Sequence, residues 1–355
     1  MPDRLPLSAL LSQALVAFTI ELDNEFERRM PHRTASFGKR DGGGPWLGSW
    51  VLWANFLRFV DPAGTSVLEI ARQPGVMRQW FKGMNRWGYV IIGPDPADTR
   101  PDPPKRDWIV RPRLGAERAR ELWPALPGEI EGRWRERFGD GVVRELRRAL
   151  AELADNAEAE LPQYVPGYDY VGFLPDGTFA KPRSRRASAS ELDLPALLSQ
   201  ALMLYTRDYD RKGSTSLLLS ANLVRALGTE PVRLRDLPGR TGIARVSVDN
   251  QIRLLGELEL AVIEPDAEAG RGRVARLSDQ GRRAQAAYGK RSTATEKTWR
   301  AHDVGRLRGA LEALDPAPLL AGTRAPSGGW REQTPLACLP HYPLVTHRGG
   351  YPDGS

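Results

Sequence analysis

Side chains that can hydrogen-bond the edges of nucleic-acid bases are concentrated in residues 244–260, which read ARVSVDNQIRLLGELEL. Val248, Ile252 and Leu255 recur at helical spacing and predict the inward face of a helix. The side chains that we expect on the opposite face are Arg245, Ser247, Asn250 and Gln251. In the major groove of DNA, arginine pairs with guanine through two hydrogen bonds, and asparagine or glutamine pairs with adenine. A polar helix face is most often only solvated, so the flanking segments must decide between the two interpretations.

The segments on both sides favour a helix that reads bases. Before it, VRLRDLPGRTGI (residues 232–243) predicts a short apolar element that ends in a Pro-Gly turn. After it, LAVIEPD and VARLS predict the two strands of a hairpin. The tip AEAGRGR carries Arg271 and Arg273, which would contact phosphate or the minor groove, or would form an ordinary basic turn. The combination is the sequence pattern of a winged helix-turn-helix.

The chain also contains a long internal repeat. Residues 7–23 (LSALLSQALVAFTIELD) and 194–210 (LPALLSQALMLYTRDYD) are identical at ten of seventeen positions. Further landmarks recur in the same order in both copies, namely Asn55 with Asn222, the Pro-Asp pairs at 94 and 265, Trp134 with Trp299, and LRRALAEL with LRGALEAL. A period this long indicates a duplicated domain and excludes a solenoid of short units.

We therefore predict a mainly helical fold with small β-hairpin wings, in which two winged helix-turn-helix domains lie in tandem. The first spans residues 1–160 and includes a 20-residue insert near 30–49, and the second spans residues 192–316. A linker rich in proline and tyrosine, with a basic end, occupies residues 161–191, and a proline-rich tail occupies residues 317–355. The opening and closing helices of each repeat are of a dimerisation type, so we expect the repeats to form an internal pseudo-dimer.

The first repeat is four residues shorter than the second around ARQPGVMRQW, because the alignment offset is 167 at Asn55 and 171 at Pro94. Four residues are about one helical turn, so we predict a shortened recognition helix there, with Trp80 at the position of Gln251. The polar and basic side chains that remain in this repeat are Arg78, Gln79 and Lys82 on the helix, and Arg100, Lys105 and Arg106 in a long hairpin. We expect these to hold phosphates, while the second repeat carries the sequence specificity.

The segment VRLRDLPGRTGIARVSVDNQIRLLGELELAVIEPD, followed by RGRVARLSDQGRRA, resembles the winged-helix core of the MarR family of bacterial transcription regulators. The leucine-rich opening helix and the closing pattern around LRRALAEL resemble the helices through which MarR proteins dimerise. The resemblance implies a sequence-specific regulator that binds double-stranded DNA. MarR proteins usually carry one such domain per chain. Two domains joined by a linker have a high effective concentration for each other, so we expect a monomer that acts as a pseudo-dimer.

Aromatic side chains are concentrated in the first repeat, at Trp50, Trp53, Trp80 and Trp87. Core packing is the more common role of such rings. The resemblance to the MarR family implies a second role, because those proteins tend to bind small aromatic effectors between the winged helix and the dimer helices. A small aromatic effector beside these tryptophans is therefore a hypothesis that the sequence leaves open.

Composition argues against several other functions. The formal net charge of +7 favours a polyanionic partner. Cys338 is the single cysteine and permits no internal disulfide, no apolar run is long enough to span a membrane, and no signal peptide is recognisable, so we expect a cytoplasmic protein. Cys338, His341 and His347 are fewer than the four ligands of a structural zinc site, and we expect no metal. No HExxH, CxxC, GxSxG or Walker sequence occurs, so we expect no cofactor and no enzymatic activity.

A second hypothesis belongs to a different functional class. The chain would then be a winged-helix ligand sensor or protein-interaction module that no longer binds DNA. The two hypotheses differ in their response to salt, because the affinity of a DNA-binding protein falls steeply with salt concentration as counterions are released from phosphates. A ligand sensor would show little dependence of this kind.

Overall fold

The computed structural model describes residues 4–29, 50–73, 76, 78–157, 161–166, 188–268, 272–299, 304–324 and 337–343. The predicted insert near 30–49 lies outside these ranges, as do most of the linker and most of the tail. The described chain is mainly helical and contains two antiparallel sheets of three strands each, which confirms the coarse prediction of fold class. Among the described helices, none combines the length and the apolar character that crossing a membrane requires.

The first repeat begins with a long helix and places a small sheet between shorter ones. Its elements are α1 (Leu7–Arg29), α2 (Trp50–Leu57), β1 (Thr65–Ser66), α3 (Val67–Ala71), α4 (Arg78–Arg86), β2 (Val90–Gly93), β3 (Ile109–Pro112), α5 (Leu114–Leu122), α6 (Leu126–Phe138) and α7 (Asp140–Asp155). Ser66 begins α3 because its Oγ accepts a hydrogen bond from the backbone N–H of Glu69 at 3.1 Å. Such a cap satisfies a donor that the first helical turn leaves unpaired.

The second repeat follows nearly the same order. Its elements are α8 (Leu194–Asp210), α9 (Leu217–Leu219), which continues as a π-helical turn (Ser220–Val224), β4 (Val232–Arg233), α10 (Leu237–Thr241), α11 (Arg245–Glu257), β5 (Ala261–Pro265), β6 (Arg273–Leu277), α12 (Asp279–Trp299), α13 (Val304–Glu312) and α14 (Pro316–Gly322). Gly242 ends α10 in the left-handed conformation, with φ of 71°. Glycine adopts this conformation without steric cost, and the chain can therefore turn directly into α11.

The two sheets have the same topology. The strand order is β1-β3-β2 in the first repeat and β4-β6-β5 in the second, so the third strand lies in the centre of each sheet. The hairpin of the second repeat pairs Ala261 with Leu277 at one end and Pro265 with Arg273 at the other. Each sheet therefore consists of a hairpin and one short strand, which precedes α4 in the first repeat and α11 in the second.

Helices α1 and α8 form the centre of the molecule, and they pack against each other. The side chains of α8 from Leu194 to Thr206 are all buried, and nearly every side chain of α1 up to Phe26 is buried as well. A helix that is buried on all sides needs neighbours on every face. These two helices obtain such neighbours from both repeats.

The repeats contact each other reciprocally. Helix α1 packs on α13 of the second repeat, while α8 packs on α7 of the first, and α7 and α13 pack on each other. These helices carry the repeated segments LRRALAEL and LRGALEAL. Reciprocal contacts of this kind are typical of a two-fold interface between identical subunits, and here they occur within one chain.

Each central helix is joined to its own repeat by a tryptophan. The indole Nε1 of Trp134 donates to Glu21 Oε1 at 3.0 Å, and that of Trp299 donates to Asp208 Oδ2 at 2.8 Å. Each indole also meets an aromatic ring of the central helix edge-on, with centroids 5.0 Å apart for the ring of Phe18 and 5.3 Å for the ring of Tyr205. All three members of each triad occupy matching positions of the sequence repeat.

The two triads lead to a prediction about stability. We expect Trp134→Phe to lower the free energy of unfolding by roughly 1–3 kcal/mol, because Glu21 is 5% exposed and loses a donor. Trp299→Phe removes the same atoms but should cost less, because the side chain of Asp208 is 29% exposed and water can replace the indole. Urea unfolding followed by circular dichroism compares the variants. Equal losses, or a larger loss for Trp299→Phe, would contradict this ranking.

Asp210 leads to a prediction about pH. Its Oδ1 accepts a hydrogen bond from the backbone N–H of Leu217 at 2.7 Å, and burial raises its pKa from 3.8 to about 6. The native chain therefore holds this proton more tightly than the unfolded chain, and the resulting stability is lost as pH rises through about 6. Asp210→Asn keeps the acceptor without the charge. Its stability relative to the wild type should grow between pH 4 and pH 6, by at most about 3 kcal/mol, and stay constant above. Thermal unfolding at several pH values tests this, and a difference independent of pH would contradict it.

Candidate nucleic-acid interface

A groove runs between α11 and the hairpin β5–β6 of the second repeat. Its volume is about 680 Å³, and its lining within the described chain consists of Arg233, Leu234, Arg235, Arg245, Asp249, Ile252, Arg253, Ile263, Asp266, Gly272 and Arg273. Five arginines and two aspartates line this groove; four of the arginines also pair with carboxylates, whereas Arg273 forms no ion pair within the described chain. The groove is therefore suited to an anionic partner that lies along α11.

The exposed face of α11 carries charged side chains at a spacing of four residues. Arg245, Asp249, Arg253 and Glu257 lie one helical turn apart and are all exposed. Arg245 Nε donates to Asp249 Oδ1 at 3.0 Å, and Arg253 donates to Glu257 Oε1 at 2.6 Å. Exposed pairs of this kind contribute little to stability, so both arginines can exchange these partners for another anion.

Two further arginines lie at the start of the second repeat's sheet. Arg233 donates to Asp266 at 2.7 Å and to Glu268 at 3.0 Å, and the hydrogen bond and charge of Asp266 raise the pKa of its guanidinium. Arg235 is exposed, with its Nε 3.7 Å from the carboxylate of the adjacent Asp236. Arg233 therefore connects β4 to the tip end of the hairpin, whereas Arg235 extends the positive surface toward the solvent.

The hairpin supplies one described arginine to the groove. Arg273 is exposed at the start of β6 and forms no ion pair within the described chain. Arg271, the other arginine predicted at the tip, lies outside the described residues. Gly272 has φ of 129°, a conformation that favours glycine, and its backbone oxygen accepts a hydrogen bond from the N–H of Asp266 at 3.0 Å. This bond closes the described part of the hairpin.

The structure corrects the prediction for two of the side chains on α11. Ser247 and Gln251 were expected to point outward, but both are fully buried and lie on the inward face with Val248 and Ile252. The inward face is a stripe two residues wide at each turn, as is common for helices that pack on a core. Neither side chain can reach a base in this arrangement. Arg245 is exposed as expected, and Asn250 is half-buried.

The residues that sequence reasoning missed are Asp249, Arg253 and Arg235, which are exposed, and Arg233, which is half-buried. The first two lie four and eight residues after Arg245, so helical spacing counted from that arginine would have identified them. Arg233 and Arg235 flank the apolar Leu234 in the sequence. Only the apolar members of that alternation contribute to the prediction from sequence.

The corresponding helix of the first repeat is shorter. Helix α4 has nine residues and α11 has thirteen, a difference of four that matches the offset in the sequence. Trp80, aligned with Gln251, is buried like its counterpart, and Lys82 is exposed. The side chains of Arg78 and Gln79 lie outside the described residues.

The hairpin of the first repeat presents less available positive charge than the sequence suggested. The guanidinium of Arg100 is held by two carboxylates, at 2.5 Å from Asp98 and 3.0 Å from Asp107, and these interactions raise its pKa. Arg106 is exposed, with its Nε 3.7 Å from Asp107, and Lys105 lies 5.8 Å from the centroid of the Trp108 ring. Arg100 would have to leave two partners before it could hold a phosphate.

The tryptophans proposed to surround an effector are only partly described. The side chains of Trp50 and Trp53 lie outside the described residues. Trp80 is 4% exposed, and Trp87 is half-buried, with its ring close to Gly83. Nearby, Phe56 and Phe81 pack edge-to-face with centroids 4.9 Å apart. Trp80 therefore contributes to the core of the first repeat, and the effector site stays a prediction.

The described residues contain no group of three histidine, cysteine or carboxylate side chains that could hold a metal ion. His347, the third member of the histidine and cysteine group in the tail, lies outside the described ranges. Burial lowers the pKa of His341 to about 3, with a smaller effect of the nearby Arg225 charge, so its imidazole is neutral at physiological pH.

The corrected placement of Gln251 generates a prediction. Both polar atoms of its side chain are buried and have no hydrogen-bond partner among the described residues. Replacement of such a group by an apolar side chain of similar size removes a desolvation cost. Gln251→Leu should therefore leave stability unchanged or raise it by up to ~2 kcal/mol. In any assay of nucleic-acid binding it should leave affinity unchanged. A loss of affinity without a loss of stability would restore the outward role of Gln251.

No family model matches the chain, and no curated protein and no solved structure matches it either. The function proposed below therefore rests on the geometry and the charges of the described residues, together with the resemblance in sequence.

Proposed function

We propose that this protein is a sequence-specific transcription regulator that binds double-stranded DNA in the manner of the MarR family. In this proposal α10 and α11 form the helix-turn-helix of the second repeat, and the hairpin β5–β6 is its wing. Helix α11 lies in the major groove and reads bases, while the wing contacts the backbone or the minor groove. The protein acts in the cytoplasm.

The observation that carries the proposal is the groove of the second repeat. A helix of thirteen residues with one exposed face is flanked by a hairpin, and the surface between them carries five arginines. The major groove of B-form DNA admits a single α-helix, and contacts to the flanking phosphates position that helix. Arg245 lies at the N-terminal end of α11, where base contacts of helix-turn-helix proteins are concentrated.

The reciprocal contacts between the repeats support a pseudo-dimer. Helix α1 packs on α13 of the second repeat and α8 packs on α7 of the first, so both central helices take part in one interface. This interface is already complete within one chain, so the proposed active form is a monomer. MarR-like proteins reach the equivalent arrangement with two chains.

The two repeats are proposed to be unequal readers of DNA. The second repeat provides the long helix and the arginine-rich groove. The first repeat provides a helix that is four residues shorter and a hairpin in which Arg100 is bound to two aspartates. The first repeat therefore holds phosphates through Lys82, Lys105 and Arg106 and contributes little to specificity. A small aromatic effector beside the tryptophans of this repeat is a further part of the proposal.

One observation favours a different function. The exposed face of α11 alternates arginine with carboxylate, since Asp249 and Glu257 accompany Arg245 and Arg253. A mixed face of this kind also suits a protein partner with complementary charges. The alternative is therefore a winged-helix ligand sensor or interaction module that has lost DNA binding.

The salt dependence of DNA binding distinguishes the two functions. For the wild-type chain we expect the logarithm of affinity for duplex DNA to fall linearly with the logarithm of salt concentration, with a slope near −0.9 for each phosphate neutralised. Fluorescence anisotropy with a labelled duplex measures this slope. A flat response, or no binding at low salt, would favour the alternative.

Two substitutions test the assigned roles. Arg245→Ala should weaken binding to a selected site by roughly 1–3 kcal/mol and relax its sequence preference, because a base contact is lost. Lys105→Ala should weaken binding evenly across sequences and flatten the salt slope by about one unit. Arg144→Ala is the matched control, because this arginine is 71% exposed on α7, which packs against α6, α8 and α13. A loss for Arg144→Ala as large as that for Arg245→Ala would mean that only net charge matters.

A further inference from the structure

The linker and the tail contain a repeated motif. Residues 161–166 read LPQYVP, and residues 339–343 read LPHYP. Both segments are described, and in both the leucine and the first proline are buried. Each segment also follows the closing helices of its repeat. The motif therefore extends the internal repeat beyond the boundaries that the longer similarities indicated.

Both segments bind the opening helix of the opposite repeat through the same backbone atom. The carbonyl oxygen of Pro162 accepts a hydrogen bond from Gln200 Nε2 on α8 at 2.9 Å. The carbonyl oxygen of Pro340 accepts one from Ser12 Oγ on α1 at 3.1 Å. Ser12 directly precedes Gln13, which is the counterpart of Gln200. Each segment thus contacts the central helix of the other repeat, as the closing helices also do.

Each segment also contacts its own repeat near an equivalent arginine. Arg58 lies 4.2 Å from the centroid of the Tyr164 ring, and its Nε donates to Ala54 O at 2.9 Å. The counterpart Arg225 makes the same bond to Ala221 O at 2.8 Å. The positive charge of Arg225 acts to lower the pKa values of Cys338 and His341, so this arginine lies beside the tail segment. Each segment therefore bridges the two repeats.

The tail segment differs from the linker segment in its position beside α11. Gly242, the residue that ends α10, is in direct contact with the backbone of residues 338–340, and a Cβ at this position would overlap the carbonyl oxygen of Cys338. Cys338 Sγ also lies 3.6 Å from Gly239 O. Leu339 is 5% exposed and Tyr342 is fully buried, so the segment is anchored on both sides of this contact.

We propose that residues 337–343 form a positioning strap that fixes the turn between α10 and α11 against α1 of the opposite repeat. The C-terminal strap, as we name these residues, sets where α11 lies relative to the central helices. Its effect on DNA binding rests on the function proposed above, whereas its effect on the mobility of α10 and α11 does not. Gly242 serves two purposes, because it ends α10 and leaves room for the strap.

Hydrogen–deuterium exchange of the full chain tests the strap without DNA. In the variant Leu339→Asp with Tyr342→Asp, the strap cannot stay buried, and amide exchange in residues 237–258 should accelerate about tenfold while α7 and α13 keep their protection. Tyr342→Phe should behave like the wild type, because it keeps the buried ring. The matched variant Tyr164→Ala should accelerate exchange near α2 and leave residues 237–258 unchanged. We call the double aspartate variant, in which the strap is no longer buried, the released variant. Unchanged amide exchange in its residues 237–258 would overturn the proposal.

A second pair of variants covers the case in which the aspartate variant fails to fold. Gly242→Ala displaces the strap, whereas Gly239→Ala lies three residues earlier, where a Cβ meets nothing within 4 Å. Gly242→Ala should accelerate exchange in α11 more than Gly239→Ala does. Because alanine also strains the turn at Gly242, the comparison is repeated in the released background, where the difference should shrink. A difference of the same size in both backgrounds would show that the turn acts alone and would overturn the strap.

DNA binding by the released variant supplies the functional readout. Its affinity for duplex DNA should fall about tenfold, with an unchanged salt slope because the same phosphates are contacted. An unchanged affinity together with faster exchange would overturn the positioning role in binding. If the wild type binds no DNA, the proposed function fails, while the exchange measurements still decide whether the strap exists.

Discussion

The structure depends on the burial of two helices, α1 and α8, whose buried side chains include the polar residues Ser12, Glu21 and Gln200. A buried polar group without a partner is costly, so each such side chain constrains the element that supplies its partner. Glu21 accepts hydrogen bonds from the indole of Trp134 and from Arg137 of its own repeat. Ser12 and Gln200 each donate to a backbone oxygen from the opposite side of the interface. The polar side chains of the central helices therefore determine where the closing helices lie. They also determine the positions of the two LPxY segments, LPQY at 161–164 and LPHY at 339–342. The reciprocal contacts between the repeats follow from two copies of the same requirement.

This symmetric frame supports two unequal surfaces. The core positions of the repeats match closely, down to the tryptophan and carboxylate pairs, whereas the outer elements differ in length and in charge. Helix α11 is one turn longer than α4, and its neighbours contribute arginines that are free of strong pairing, such as Arg273 and Arg235. In the first repeat, aspartates neutralise the hairpin arginine Arg100. In a homodimer, one substitution changes both surfaces. In a duplicated chain each repeat has its own residues, so one surface can change while the shared core stays the same.

The sequence was sufficient to predict the order of elements, the repeat and the shorter helix, because these depend on periodicity and on alignment offsets. The sequence was insufficient to predict which side chains of α11 are buried and which are exposed. Val248, Ile252 and Leu255 define the centre of the inward stripe but not its width, and the structure places Ser247 and Gln251 within that stripe. The LPxY motif was missed because a short, proline-rich match carries little weight until both copies are seen to bind equivalent helices. The ion pairs of Arg100 were also missed, since partners two and seven residues away in a loop depend on its conformation.

Selection of binding sites from random or genomic duplex DNA tests the central claim most directly, namely that one chain presents two unequal DNA-binding surfaces on a pseudo-symmetric frame. The account predicts an enriched site with one well-defined half, read by α11, and a second half in which the protein contacts phosphates with little sequence preference. Two equivalent inverted half-sites would contradict the inequality of the repeats. The absence of any enriched sequence, at salt concentrations low enough to permit binding, would contradict the assignment as a DNA-reading regulator.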